Sequence, residues 1–134
     1  MKKLDHIAIA VPDLDAAERI WREALQLEWK GWEEVPEQKV LTSIFRAGVT
    51  RLELITPTAE DSPITGFLER RGPGLHHICF EVDDLEAEME RLKEQGIRLL
   101  NEAPRAGVGG SRVVFLHPKD TGGVLVEVME KKKG

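Results

Sequence analysis

Residues 4–16, LDHIAIAVPDLDA, return 71 positions later as residues 75–87, LHHICFEVDDLEA, with seven of thirteen positions identical. The shared residues are Leu4/Leu75, His6/His77, Ile7/Ile78, Val11/Val82, Asp13/Asp84, Leu14/Leu85 and Ala16/Ala87. No other feature constrains the fold as strongly. A chain built twice from one module must pack two copies of that module, and it carries the groups at the seven identical positions twice. One of those groups is a histidine.

The local patterns support the duplication. Residues 4–11 alternate and are rich in β-branched side chains, which predicts a strand. Asp13 then offers an N-cap, and Ala17, Ile20, Trp21, Ala24 and Leu25 recur at helical spacing. A strand is expected around LEWKGWEEV, close to Trp29 and Trp32, followed by a strand pair at 39–46 and 50–56 with a turn at Ala47-Gly48. The segment PTAEDSPITGFLERRGPG, with a helical piece near Ile64–Arg70, reads as a linker. The second copy runs from a strand at 76–82 to a helix beginning at Asp84. Leu85, Met89 and Leu92 face inward there, and Gly96 lies near the C-cap. A strand near IRLL, the loop NEAPRAGVGGS and a strand pair RVVFLHP/GVLVEVM complete it. The predicted class is therefore α+β. One domain, 1–134, contains module one (1–57), a linker (58–73) and module two (74–131). Two tandem βαβββ modules form an open, curved eight-stranded sheet around a cleft.

The repeat extends to the last strand of each module, where RLELI (51–55) matches LVEVM (125–129) and Glu53 matches Glu127 at an offset of 74. The three additional residues fit in the longer glycine loop of the second half. Each module thus contributes one histidine from its first strand and one carboxylate from its last. Both glutamates are flanked by apolar residues that alternation places on the opposite face. Buried carboxylates near each other repel unless a cation joins them. One histidine or one glutamate in a strand is usually structural; four at matched positions make a metal site of His6, Glu53, His77 and Glu127. Four protein ligands with two open positions suit octahedral Co²⁺, Mn²⁺, Ni²⁺ or Fe²⁺ better than closed tetrahedral zinc. His76 has the opposite parity and reads as structural; His117, without a twin, either touches substrate or anchors a turn.

Composition narrows the class. A net charge of −5 argues against nucleic acid or an anionic membrane as partner. The single cysteine, Cys79, forbids an intrachain disulfide and reads as a small core residue. No run is long and apolar enough for a membrane helix, and the N-terminus lacks a signal-peptide pattern. A cytoplasmic protein is expected.

Several stretches resemble the vicinal oxygen chelate superfamily, which groups glyoxalase I, extradiol dioxygenases and antibiotic-binding proteins. LDHIAIAVPDL, LELITP, DSPITGFLE, GLHHICFEVDD and FLHPKDTGGVLVE resemble, within it, the methylmalonyl-CoA epimerase family, over nearly the whole chain. The resemblance implies the same four ligands, a cobalt-type divalent ion (Mn²⁺, Ni²⁺ or Zn²⁺ in its place), an acyl-CoA substrate and a homodimer. It implies epimerisation of (2R)- and (2S)-methylmalonyl-CoA through a metal-stabilised enolate. Some members carry a glutamate base a few residues after a PEQ-like turn; Thr42 stands there in this chain, with Ser43 beside it. Glu127 and Glu53 are the expected acid–base pair, and Lys39, Arg112 and Lys119 are cations that could meet the CoA phosphates. A glyoxalase I-like isomerase and a non-catalytic metabolite- or antibiotic-binding module are the alternatives on the same scaffold.

Overall fold

A computed structural model describes residues 1–133. Eight strands and three α-helices follow the expected order: β1 (Lys3–Ala10), α1 (Leu14–Glu18), β2 (Glu28–Val35), β3 (Val40–Ala47), β4 (Thr50–Pro57), α2 (Pro63–Arg71), β5 (Gly74–Glu81), α3 (Leu85–Glu94), β6 (Arg105–Ala106), β7 (Arg112–Leu116) and β8 (Val126–Glu130). The chain divides into two compact units, His6–His76 and Met1–Asp5 with His77–Gly134.

In the unit His6–His76 the strands lie in the order β2-β3-β4-β1, with β1 and β4 parallel and the other pairs antiparallel. One sheet face carries Phe45 and Leu54, both fully buried, packed with Val11, Ala17, Trp21 and Trp29. The opposite face packs Ala8, Ala10, Val40 and Ile55 against Ile64 and, less deeply, Phe67 and Leu68 of α2. Ser62 caps α2 by accepting from the Ile64 N–H (3.2 Å), and Pro63 starts it where no N–H is needed.

Two features here depart from regular geometry. After α1, residues Arg19–Ala24 bond as a π-turn, shown by the Leu25 N–H donating to the Ile20 carbonyl (2.9 Å). The wider turn rotates the apolar stripe, so of the expected inward residues Ala17 is buried and Trp21 half-buried, while Ile20, Ala24 and Leu25 are exposed. In β2, Trp29 pairs with Phe45 and Gly31 with Ile44, which leaves Lys30 as an extra residue in a β-bulge. Gly31 sits at φ +120°, a conformation that side-chain-bearing residues avoid. The bulge puts Trp29 and Trp32, three apart, on one face, with ring centroids 4.6 Å apart edge-to-face.

The other unit has the strand order β5-β8-β7-β6. Helix α3 starts at Asp84, whose carboxylate accepts from the Ala87 N–H (3.1 Å). It buries Leu85, Met89 and Leu92, as expected, against Val114, Leu116, Val126 and Val128. The N-terminal segment is tied in by Glu81, whose carbonyl accepts from the Lys2 N–H (2.8 Å) and whose carboxylate pairs with Lys2 and Lys131 (both 3.2 Å). The strand expected near IRLL is reduced to one bridge, Leu99 with Leu116, and β6 instead forms at Arg105–Ala106. Asn101 explains the interruption. Its amide donates to the Ala103 and Val113 carbonyls and accepts from the Phe115 N–H (2.9 Å), which replaces backbone ladder bonds.

Candidate functional site

Each unit builds a histidine–glutamate pair by the same register. In the unit His6–His76, β1 runs parallel to β4 with Ala8 opposite Glu53, so the glutamate stands across from the residue two beyond His6. In the other unit, β5 runs parallel to β8 with Cys79 opposite Glu127, again two beyond His77. Alternation sends Leu54 and Val128 into the helix-covered cores and leaves the glutamates on the other face.

The outcome is the same distance twice. His6 Nε2 lies 3.6 Å from Glu53 Oε1, and His77 Nε2 lies 3.6 Å from Glu127 Oε1. All four residues are buried. The separation exceeds a hydrogen bond, whose heavy atoms sit about 2.7–3.2 Å apart. It suits two donors held about 2.1 Å from a shared ion, which places the donors roughly 3–4 Å from each other. Imidazole and carboxylate are the donor types that borderline divalent ions take. Each pair thus offers two donors at a spacing that one ion could bridge.

The surroundings differ. In one unit Arg51, two residues before Glu53 on the same strand face, donates to Glu53 Oε2 (2.8 Å). The sequence reading missed Arg51, although its i−2 spacing in a strand is the signal that places it beside Glu53. In the other unit Phe115 lies edge-on to His77, with centroids 5.6 Å apart, and fully buried Cys79 packs with Val113 and Met129. The ring contact fixes the imidazole plane.

Other sequence candidates have partners within the protein. His76 packs edge-on against Phe67 of α2 at 4.9 Å. His117 caps the turn Pro118–Asp120, its Nδ1 accepting from the Lys119 N–H (3.2 Å). Lys39 pairs with Asp61, and Arg112 bridges Glu86 and Glu130. Asp84, Glu86 and Glu130 also bring oxygens together, but Arg112 and the Leu85 N–H (2.9 Å, to Glu130) already serve that cluster. Among the described residues no helix is long and apolar enough to cross a membrane.

The model of the Glyoxalase/Bleomycin resistance protein/Dioxygenase superfamily matches residues 5–115. The chain is 45% identical over 128 residues to the ethylmalonyl-CoA/methylmalonyl-CoA epimerase of Cereibacter sphaeroides, which covers 94% of this chain and 96% of the relative. It is 44% identical over 127 residues to human mitochondrial methylmalonyl-CoA epimerase, covering 94% and 72%. Among solved structures, a variant of Streptomyces coelicolor methylmalonyl-CoA epimerase in complex with 2-nitronate-propionyl-CoA matches with a TM-score of 0.93 at 37% identity, over 99% of each chain. The α+β fold of paired βαβββ modules that the repeat implies is the fold of that structure.

Proposed function

Because the chain belongs to the glyoxalase/bleomycin resistance protein/dioxygenase superfamily, we propose that it is a metal-dependent epimerase interconverting (2R)- and (2S)-methylmalonyl-CoA. The observation that carries this reading is the buried His–Glu pair at 3.6 Å, produced twice by one strand register. On this reading the residues that would hold a divalent ion are His6, Glu53, His77 and Glu127, the ion being cobalt first, with manganese, nickel or zinc able to replace it. An ion held by these residues would stabilise the negative charge that develops when the substrate loses its α-proton.

The chain's own residues do the rest. The α-carbon lies between a thioester and a carboxylate, so its proton is acidic enough for a carboxylate to remove it from a desolvated complex. Inversion needs a proton taken from one face of the planar enolate and one returned to the other. Glu127 is one of these carriers. Glu53 is the nearest partner by type, but Arg51 holds its second oxygen, which fits an anchoring role better than a mobile one. Buried apolar residues flank each pair: Ala8 and Ile55 beside one, Val113 and Met129 beside the other. The reading includes an acyl-CoA ligand, a homodimer and a cytoplasmic setting.

Solvent-deuterium incorporation at the α-carbon tests it. The metal-loaded protein is expected to exchange and epimerise methylmalonyl-CoA, and a chelator to stop both. Ethylmalonyl-CoA belongs in the same assay, because the Cereibacter relative is named for both substrates. A metal-loaded protein that leaves both acyl-CoAs unexchanged while consuming a glutathione hemithioacetal would overturn the assignment.

A further inference from the structure

We propose that Glu33 is the second acid–base residue of the epimerisation, serving the proton of one epimer while Glu127 serves that of the other. The inference rests on the epimerase reading above and concerns only which residue completes it.

The placement follows from strand register. Glu33 pairs with Thr42 across β2 and β3, and Thr42 pairs with Ile55 across β3 and β4. Residues directly opposite in an antiparallel pair share a face, so Glu33, Thr42 and Ile55 stand in one row. On the same face of β4, Glu53 is two residues before Ile55, and Ile44 opposite Glu53 completes the next row. Glu33 is therefore on the face that carries His6, Arg51 and Glu53. Two strand spacings, about 10 Å, separate it from the Ile55–Glu53 strand, a gap that inward-reaching carboxylates can span around a small acyl group.

The bulge is what puts it there. Were Lys30 paired with Ile44 instead of bulged out, Trp32 would oppose Thr42 and Glu33 would oppose Leu41, on the other face. Gly31 at φ +120° is the local cost of that choice. The residues opposite and diagonal to Glu33 on its face are Thr42, Val40 and Ile44, and its strand neighbour on that face is Val35. Thr42 is 1% exposed and Val35 6%, while Glu33 itself is half-buried. A carboxylate held at the edge of such a patch can reach inward to a substrate without being sealed off. Thr42, opposite it, adds a hydroxyl that can orient it.

The second unit shows that the fold does not require an acid at this place. Its equivalent pair is Arg105 with Val113, so the position carries a cation there. The acid at residue 33 is a property of one half alone, as a one-sided proton carrier must be.

The test compares Glu33→Gln with Glu34→Gln, an exposed neighbour of opposite parity. Each metal-loaded protein is incubated in deuterium oxide with separated (2R)- and (2S)-methylmalonyl-CoA, and binding of 2-nitronate-propionyl-CoA, an enolate mimic, is measured in parallel. Glu33→Gln is expected to lose at least 100-fold in epimerisation. It should keep α-proton exchange with one epimer within about threefold and bind the nitronate within about threefold. Glu34→Gln should behave as wild type. Wild-type epimerisation by Glu33→Gln overturns the proposal, as does equal loss of exchange from both epimers together with lost nitronate binding, the signature of a structural role. A wild-type protein that exchanges neither epimer refutes the epimerase reading itself, and is distinguished by that control.

Discussion

The two units agree at their centres and differ at their rims. Both set a histidine two residues before the point where a parallel neighbour places a glutamate, and both arrive at 3.6 Å between the reactive atoms. Around that shared centre little else matches. One unit has a five-residue helix running into a π-turn, a long bulged β2, an arginine on its glutamate and an acid at residue 33. The other has a regular ten-residue helix, a two-residue β6, a phenylalanine against its histidine and Arg105 at the equivalent rim position. Duplication has kept the His–Glu pair in both halves, the donors that the proposed function assigns to an ion. It releases the rest, so the proposed carrier Glu33 stands in one half while the other has Arg105 at the equivalent position.

The largest expected effects fall on the shared centre. His6→Ala and His77→Ala should each lower epimerisation by at least 100-fold and reduce bound metal, measured by elemental analysis of the purified protein. If the two pairs are equivalent, the two losses of metal are alike; a variant that keeps full metal and full rate would show that one pair is only structural. Glu127→Gln should abolish exchange with one epimer as well as weaken metal binding, which separates its two roles.

Stability comes next. Phe45 and Leu85 are fully buried, one in each unit, Phe45 on a strand that faces Ala17 of α1 and Leu85 on α3 facing its strands. Phe45→Ala should cost about 3–5 kcal/mol and Leu85→Ala about 2–5 kcal/mol by urea denaturation, because each removes packed side-chain volume and leaves a cavity. The helix caps discriminate more finely. Asp84→Ala should cost about 1 kcal/mol. Asp13→Ala should cost less, since α1 continues into a π-turn whose bonds do not depend on the cap. Equal losses would mean that the π-turn is as cooperative with its cap as the regular helix.

What the sequence disclosed follows the same division. The repeat, the caps at Asp13 and Asp84, the inward triad Leu85, Met89 and Leu92 and the presence of one His and one Glu at matched positions in each half were legible because periodicity and duplication encode them directly. The π-turn was not, since Ile20 and Leu25 sit at helical spacing and only the wider turn rotates them outward. The bulge at Lys30 was hidden for a related reason: a glycine between two tryptophans does not announce which face each takes. The strand near IRLL was misplaced because Asn101 makes with its side chain the bonds that alternation assigns to the backbone. Glu33 escaped because its counterpart is Arg105, and a search for twins finds only what both halves kept.

The smallest expected effect lies in the loops beside the sheets, where both units pair an acid with a cation. Lys39 holds Asp61 below the usual carboxylate range in one, and Arg98 holds Asp120 at about 2 in the other. The Asp120 shift comes first from the Arg98 guanidinium, bonded to both carboxylate oxygens at 2.9 Å, then from the Arg98 backbone N–H. A carboxyl group whose folded value is lowered binds its proton more readily in the unfolded chain. Its contribution is therefore complete above the ordinary value of 3.8 and is lost as pH falls from there toward about 2. Asp120→Asn should flatten the stability profile over that acid window and leave it unchanged above about pH 5. Because Arg98 is solvent-exposed, moderate salt should shrink the difference between variant and wild type. A pH profile for Asp120→Asn parallel to wild type through the acid window would show that the pair contributes no net stability, and that the backbone bridge from Leu99 to Leu116 alone holds the 98–120 junction.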